Sequence, residues 1–67
     1  MKYLVLEIQK ASDGQVATLI NSYDSLEIAE QAYFTTLASA CASSVFVHTV
    51  MLISDEGFCV EQRSFRH

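Results

Sequence analysis

Leu4, Leu6 and Ile8 alternate with Tyr3, Val5, Glu7 and Gln9 near the start of the chain. Successive strand side chains point to opposite faces, so residues 2–10 read as a strand with one strongly apolar face and one mixed face. Asp13-Gly14 follows and marks a tight hairpin, because a two-residue type I′ turn needs positive φ at both central positions. A second strand then runs over residues 15–22. With Asp13 and Gly14 at the turn centre, Ser12 pairs with Gln15, Ile8 with Leu19 and Leu6 with Asn21. Directly opposed residues share a face. This register puts Leu4, Leu6, Ile8, Ala17 and Leu19 on one surface and Val5, Glu7, Val16, Thr18 and Ile20 on the other. The first is expected to receive a helix.

The period changes after Tyr23. Leu26, Ala29, Tyr33, Leu37, Ala40 and Cys41 recur at helical spacing and form one apolar stripe, with Glu27, Gln31, Thr35 and Ser39 opposite. A helix is predicted over about 25–43. Asp24 is the expected N-cap, with Glu27 three residues on completing a capping box and Tyr23 and Ile28 forming a staple. The many alanines give the helix small-sided flanks for a close approach to a sheet. Phe34 lies at the edge of the stripe as a half-exposed aromatic.

Residues 45–54 are apolar on both alternations. Val45, Val47, Met51 and Ile53 interleave with Phe46, Val50 and Leu52, broken by His48 and Thr49. Such a strand is central and covered on both sides. Asp55-Glu56-Gly57 is a second turn, and residues 58–65 form a fourth strand with Arg63 and Phe65 on one face. The order strand, strand, helix, strand, strand gives an α+β fold. The expected form is a four-stranded, mainly antiparallel sheet in the order 2-1-3-4, with one helix on one face.

Composition sharpens this picture. Sixty-seven residues allow one domain, and 51% of them are hydrophobic. One helix and one small sheet cannot hide that much apolar surface, so the helix-free face is expected to meet a second subunit. The net charge of −4, with eight acids against four basic residues, argues against a nucleic-acid binder or an electrostatic membrane-surface protein. No run approaches the roughly 18 apolar residues of a membrane span. Glu7, Gln9 and Lys10 interrupt any leader-like stretch, so a cytoplasmic protein is expected. Cys41 and Cys59 fit no zinc spacing and read as small packing residues.

Little in the chain asks for catalysis. His48 and Cys59 are too far apart on the predicted strands for a thiol–imidazole pair. Cys41 lies near the helix C-terminus, where the dipole disfavours a thiolate. Glu27 and Glu30 read as a cap and a solvated residue. Gly14 and Gly57 serve turns, which leaves no phosphate loop. His67 has no partner in sequence. No enzyme, cofactor or metal site is expected. A ligand site is the stronger alternative. Arg63, Arg66 and Lys2 could grip a phosphate, with Phe65 and Tyr3 as stacking surfaces. The simpler reading is that the arginines balance Asp55, Glu56 and Glu61.

The opening Met1-Lys2-Tyr3-Leu4-Val5-Leu6-Glu7-Ile8-Gln9, the Asp13-Gly14 turn, Ser22-Tyr23-Asp24, Ala29-Glu30 with Tyr33, Val47-His48 and Glu56-Gly57-Phe58 carry a likeness. On these residues the chain resembles a group of small proteins encoded by gut Firmicutes and their phages or prophages. The resemblance implies a context and no site residues: a mobile-element accessory in a bacterial host cytoplasm. The expected function is a non-enzymatic binding module, working as a homodimer or higher oligomer and engaging a host protein. Val5, Val16, Ile20 and Phe34 are the expected self-contact residues. The alternative is an anti-defence sponge that sequesters a phosphate-bearing nucleotide signal at oligomer interfaces.

Overall fold

The computed structural model describes residues 2–67, and Met1, the first residue of the domain expected over 1–67, lies outside them. Strands β1 (Tyr3–Lys10) and β2 (Val16–Tyr23) precede helix α1 (Leu26–Ala42), and strands β3 (Val47–Ser54) and β4 (Cys59–Arg66) follow it. The sheet order is β2-β1-β3-β4, and every neighbouring pair is antiparallel. The expected α+β architecture, element order and strand order are all present. The helix and strand bounds shift from the expected ones by a residue or two.

Strand β3 is central, as its two apolar alternations require. Val50 and Leu52 are fully buried beneath α1, while Val47, Met51 and Ile53 on the other face are only partly covered. The helix presents its small residues to the sheet. Ala29 and Ala40 are completely buried and Tyr33 is 3% exposed, with Ala32 and Leu37 packed alongside. Small side chains let the helix backbone sit close, and the Tyr33 ring joins Val5, Val50 and Leu52 in the core, with Tyr3, Tyr23 and Phe65 packed against it.

Which face of β1 meets the helix is a correction. Val5 is 4% exposed and belongs to the core, together with Val50 and Leu52. The cause is the first turn. The pairs Leu6–Ile20, Ile8–Thr18 and Lys10–Val16 place β1 one residue away from the expected register. A one-residue slip turns every side chain of a strand to the other face. Ala11 N–H bonds to Gln15 O at 2.8 Å and Gly14 N–H to Ala11 O at 3.0 Å, so the loop holds three residues, Ser12-Asp13-Gly14. Only Gly14 has positive φ, at +93°, whereas a type I′ turn would need it at Asp13 as well. Asp13 instead accepts the Gln15 N–H at 3.0 Å. Ser54-Asp55-Glu56-Gly57-Phe58 repeats this turn, with Gly57 at φ +92° and the same pair of backbone bonds. Tyr3, Val5, Glu7 and Gln9 therefore share the covered face with Ala17, Leu19 and Asn21, while Leu4, Leu6 and Ile8 share the open face with Val16, Thr18 and Ile20. The faces expected for Val16, Ile20, Ala17 and Leu19 hold; those of β1 are exchanged.

The helix ends also differ from expectation. Ser25 is the N-cap, in extended conformation, and its carbonyl accepts Ala29 N–H at 3.0 Å. Asp24 stands one residue outside and pairs with Lys2 at 3.6 Å. At the other end Ser43 closes the helix through its N–H to Ala40 O, and its hydroxyl accepts Val45 N–H. His67 completes this cap. Its Nε2 donates to Ala40 O at 3.0 Å, its backbone N–H bonds to Phe46 O at 2.9 Å, and its ring stacks on Phe65. A basic group is favourable at a helix C-terminus, and α1 has none in its own last turn. Cys41 and Cys59 are both exposed, so neither is the packing residue expected.

Candidate interaction surface

The helix-free side of the sheet carries Val16, Ile20 and Val60 of the exposed large hydrophobics; Leu19, Leu26, Ile28, Phe34, Phe46 and Phe58 are exposed elsewhere. Following the pairings across, the rows of the helix-free side run Val16–Lys10–Val47–Arg66, Thr18–Ile8–Thr49–Ser64 and Ile20–Leu6–Met51–Gln62, then Ser22–Leu4–Ile53. Val16 and Ile20 are 59% and 61% exposed, and Val60 beside the last row is 45% exposed. Leu4, Leu6, Ile8, Met51 and Ile53 are only partly covered. Aliphatic side chains fill the middle of the surface, threonines and serines are scattered among them, and no carboxylate occurs on β1–β4 at these positions. An apolar centre rimmed by polar residues is the pattern that marks interaction sites.

Extrapolating the ladders by one residue adds a charged row. Asp55 N–H bonds to Lys2 O at 2.9 Å, Lys2 N–H bonds to an Asp55 carboxylate oxygen at 3.0 Å, and Lys2 Nζ reaches Asp24 at 3.6 Å. Asp24, Lys2 and Asp55 thus border the surface at one end, while Lys10 and Arg66 stand at the other.

The covered face holds most of the remaining chemistry. His48 is 4% exposed and its Nε2 contacts a carboxylate oxygen of the half-buried Glu7 on the helix side of the sheet. His48 Nδ1 and Glu61 Oε2 are buried without a hydrogen-bond partner among the described residues. Burial pushes the Tyr33 phenol above its ordinary value of 10.0; the Glu61 carboxylate adds to this and Arg63 opposes it. A register shift between Leu52 and Ile53 sets β4 back by one residue, so His48 lies opposite Phe65, where an unbulged hairpin would place Ser64. Cys59 pairs at Ile53, near the far end of the same ladder, and its thiol faces Glu61 O and Gln62. The imidazole and the thiol are not brought together.

The residues expected to hold an anionic ligand are dispersed. Arg63 lies over the Phe65 ring at 5.5 Å on the helix side of β4, and Arg66 belongs to the open face. Lys2 and Tyr3 sit at the opposite end of the sheet, beside Asp55 and Ser54. Of the expected self-contact residues, Val16 and Ile20 share the open face, Val5 is in the core, and Phe34 is on the helix, packed edge-on against Tyr33 and 51% exposed. Phe34 is therefore on the other side of the sheet from Val16 and Ile20.

A cavity of about 540 Å³ opens between the first hairpin and the loop after α1, lined by Gln9, Gln15, Ser12, Ser44, Phe46 and His67 among others. Its lining includes no Asp, Glu, Lys or Arg. Among the described residues no three His, Cys, Asp or Glu side chains converge on one point. No helix of the described chain is long and apolar enough to cross a membrane.

The missed residues have identifiable causes. His67 is isolated in sequence, and only the closing of β4 brings it to the helix end. The open-face role of Leu4, Leu6 and Ile8 was masked by the turn. No protein-family model, curated protein or solved structure matches this chain.

Proposed function

We propose that the chain is a non-enzymatic binding module that works as a homodimer, joined face to face through the helix-free side of its sheet. One observation carries this reading: the side without a helix is aliphatic across its middle, and its exposed members Val16 and Ile20 adjoin the partly covered Leu6, Ile8 and Met51. Sheets pack face to face at about 10 Å. Four strands spaced about 4.8 Å and eight residues long at about 3.3 Å each give a projected face of about 500 Å². Two such faces account for about 1,000 Å² before side-chain relief is added, close to the lower bound of about 1,200 Å² for stable specific interfaces. A second copy fits this area; Thr49 and Ser64 already satisfy each other, and Thr18, Ser22 and Gln62 lie toward the edges, where water or the partner copy can serve them.

The dispersal of titratable and nucleophilic groups supports a binding role over an enzymatic one. In such a dimer both helices point outward, and Phe34 on each is available to the host component that the resemblance to mobile-element proteins implies. Light scattering coupled to size exclusion tests the reading. A mass of two chains at micromolar concentration is expected; a one-chain mass there removes it.

A further inference from the structure

The charges bordering the open face select one of the two ways in which it can pair with itself. Lys10 and Arg66 flank Val47 at one end, and both are exposed. At the other end Asp24 and Asp55 flank Lys2, and Glu56 follows in the turn. Counting one charge per side chain, the first end carries two positive charges and the bordering row of the second carries one net negative charge, to which Glu56 adds another. The four strand faces between them hold no other charged residue. Asp13, in the loop at the positive end and accepting the Gln15 N–H, offsets one of those charges and leaves that end with one net positive charge.

A face-to-face homodimer is isologous, with its twofold axis in the plane between the sheets. An axis along the strands would stack like ends and bring two copies of Lys10 and two of Arg66 across a gap of about 10 Å. That is just beyond the Debye length of about 8 Å at physiological salt, so the repulsion is partly screened there and strongest at low salt. An axis across the strands keeps each strand over the same strand of the other copy and reverses its direction, so Lys10 lies over the other copy's Lys2 between its Asp24 and Asp55, a row that is net acidic, and Arg66 lies toward the turn that carries Glu56. Like ends then stand apart by about eight residues of strand, roughly 26 Å. Because the sheet is itself antiparallel, the two arrangements present similar strand geometry, and charge is what separates them.

We infer that two copies of this chain pair with the twofold axis across the strands, each Lys10 and Arg66 meeting the acidic end of the partner copy. This rests on the homodimer proposed above and specifies its geometry.

Sedimentation velocity on the full chain, run as a concentration series at low and high salt, tests the inference. Three variants accompany the wild type: Lys10→Glu with Arg66→Glu, Asp24→Lys with Glu56→Lys, and all four together. These side chains are exposed, and circular dichroism checks that each variant is folded. The expected result is that each pair of reversals weakens the dimer about tenfold and that the four together recover most of the wild-type affinity. Wild-type association should weaken as salt rises. A wild-type dimer that strengthens with salt, or that either pair of reversals leaves unchanged, overturns the arrangement while leaving the dimer standing. A wild-type monomer at all concentrations overturns the dimer itself.

Discussion

Leu19 and Ile20 are adjacent on β2, similar in size and similarly exposed at 55% and 61%, yet they point to opposite sides of the sheet. This makes them a matched pair for locating the contact. Full burial of an isoleucine side chain is worth about 2.5 kcal/mol. With 61% of it still open, closing the interface over Ile20 should yield about 1.5 kcal/mol per copy. The twofold doubles this to about 3 kcal/mol per dimer, or about two orders of magnitude in dissociation constant. Ile20→Lys forfeits that contribution and places an ammonium against the aliphatic centre of the face, so at least a hundredfold weakening is expected. Leu19→Lys, on the helix side, should leave the dimer within about threefold of wild type. Sedimentation equilibrium on the wild type and both variants gives the three constants. Denaturant midpoints measured at the lowest concentration should stay close, since both positions are exposed on an edge strand. The reasoning is refuted if the two lysine variants weaken association equally, or if Leu19→Lys is the damaging one.

Further expectations concern the covered side and the turns. Removing one member of the buried Glu7–His48 pair strands the other, so Glu7→Ala should cost about 1–3 kcal/mol in urea unfolding, and Glu7→Leu with His48→Leu should cost less than the two single changes combined. No atom lies within 4 Å of a Cβ built at Gly57, so Gly57→Ala should cost about 1 kcal/mol from its φ of +92° alone, with Gly57→Asn recovering part of this. The Tyr33 phenol is held above its unfolded value, so its protonated form favours the folded state. That contribution is fully present below about pH 10 and is lost as pH rises through the folded value. Alkaline denaturation should therefore be shallower for Tyr33→Phe than for the wild type, and a parallel decline in both would refute it.

The central place of β3 was legible because Val50 and Leu52 alternate with Met51 and Ile53, leaving that strand no solvent side; the order of the strands around it has no such signature, since β1 is equally central. The helix was legible from Ala29, Tyr33 and Ala40 at helical spacing. The register of the first hairpin was not. Asp-Gly serves a two-residue turn and also the last two positions of a three-residue turn, and which one forms depends on whether Ser12 stays in the ladder and on the φ of Asp13. Ser25 and Asp24 are adjacent residues of nearly equal capping strength, so sequence could not choose between them. The β4 irregularity that brings Phe65 opposite His48, and the return of His67 to Ala40, depend on the closed sheet and leave no local signature. Legibility of the candidate surface was mixed for the same reason: Val16 and Ile20 were placed on the open side, but the turn hid the aliphatic row of β1.

The three-residue loop at Ser12-Asp13-Gly14 has a further consequence for how this chain tolerates change in length. Shortening it by one residue and keeping β2 in place would rotate β1 about its own axis, sending Leu4, Leu6 and Ile8 inward and carrying Val5 and Glu7 out to water. His48 would then lose its carboxylate, and the aliphatic bed of the open face would be left with an acid in its middle. A deletion in a solvent-washed loop, ordinarily the mildest of lesions, would here invert the inside and the outside of the central ribbon.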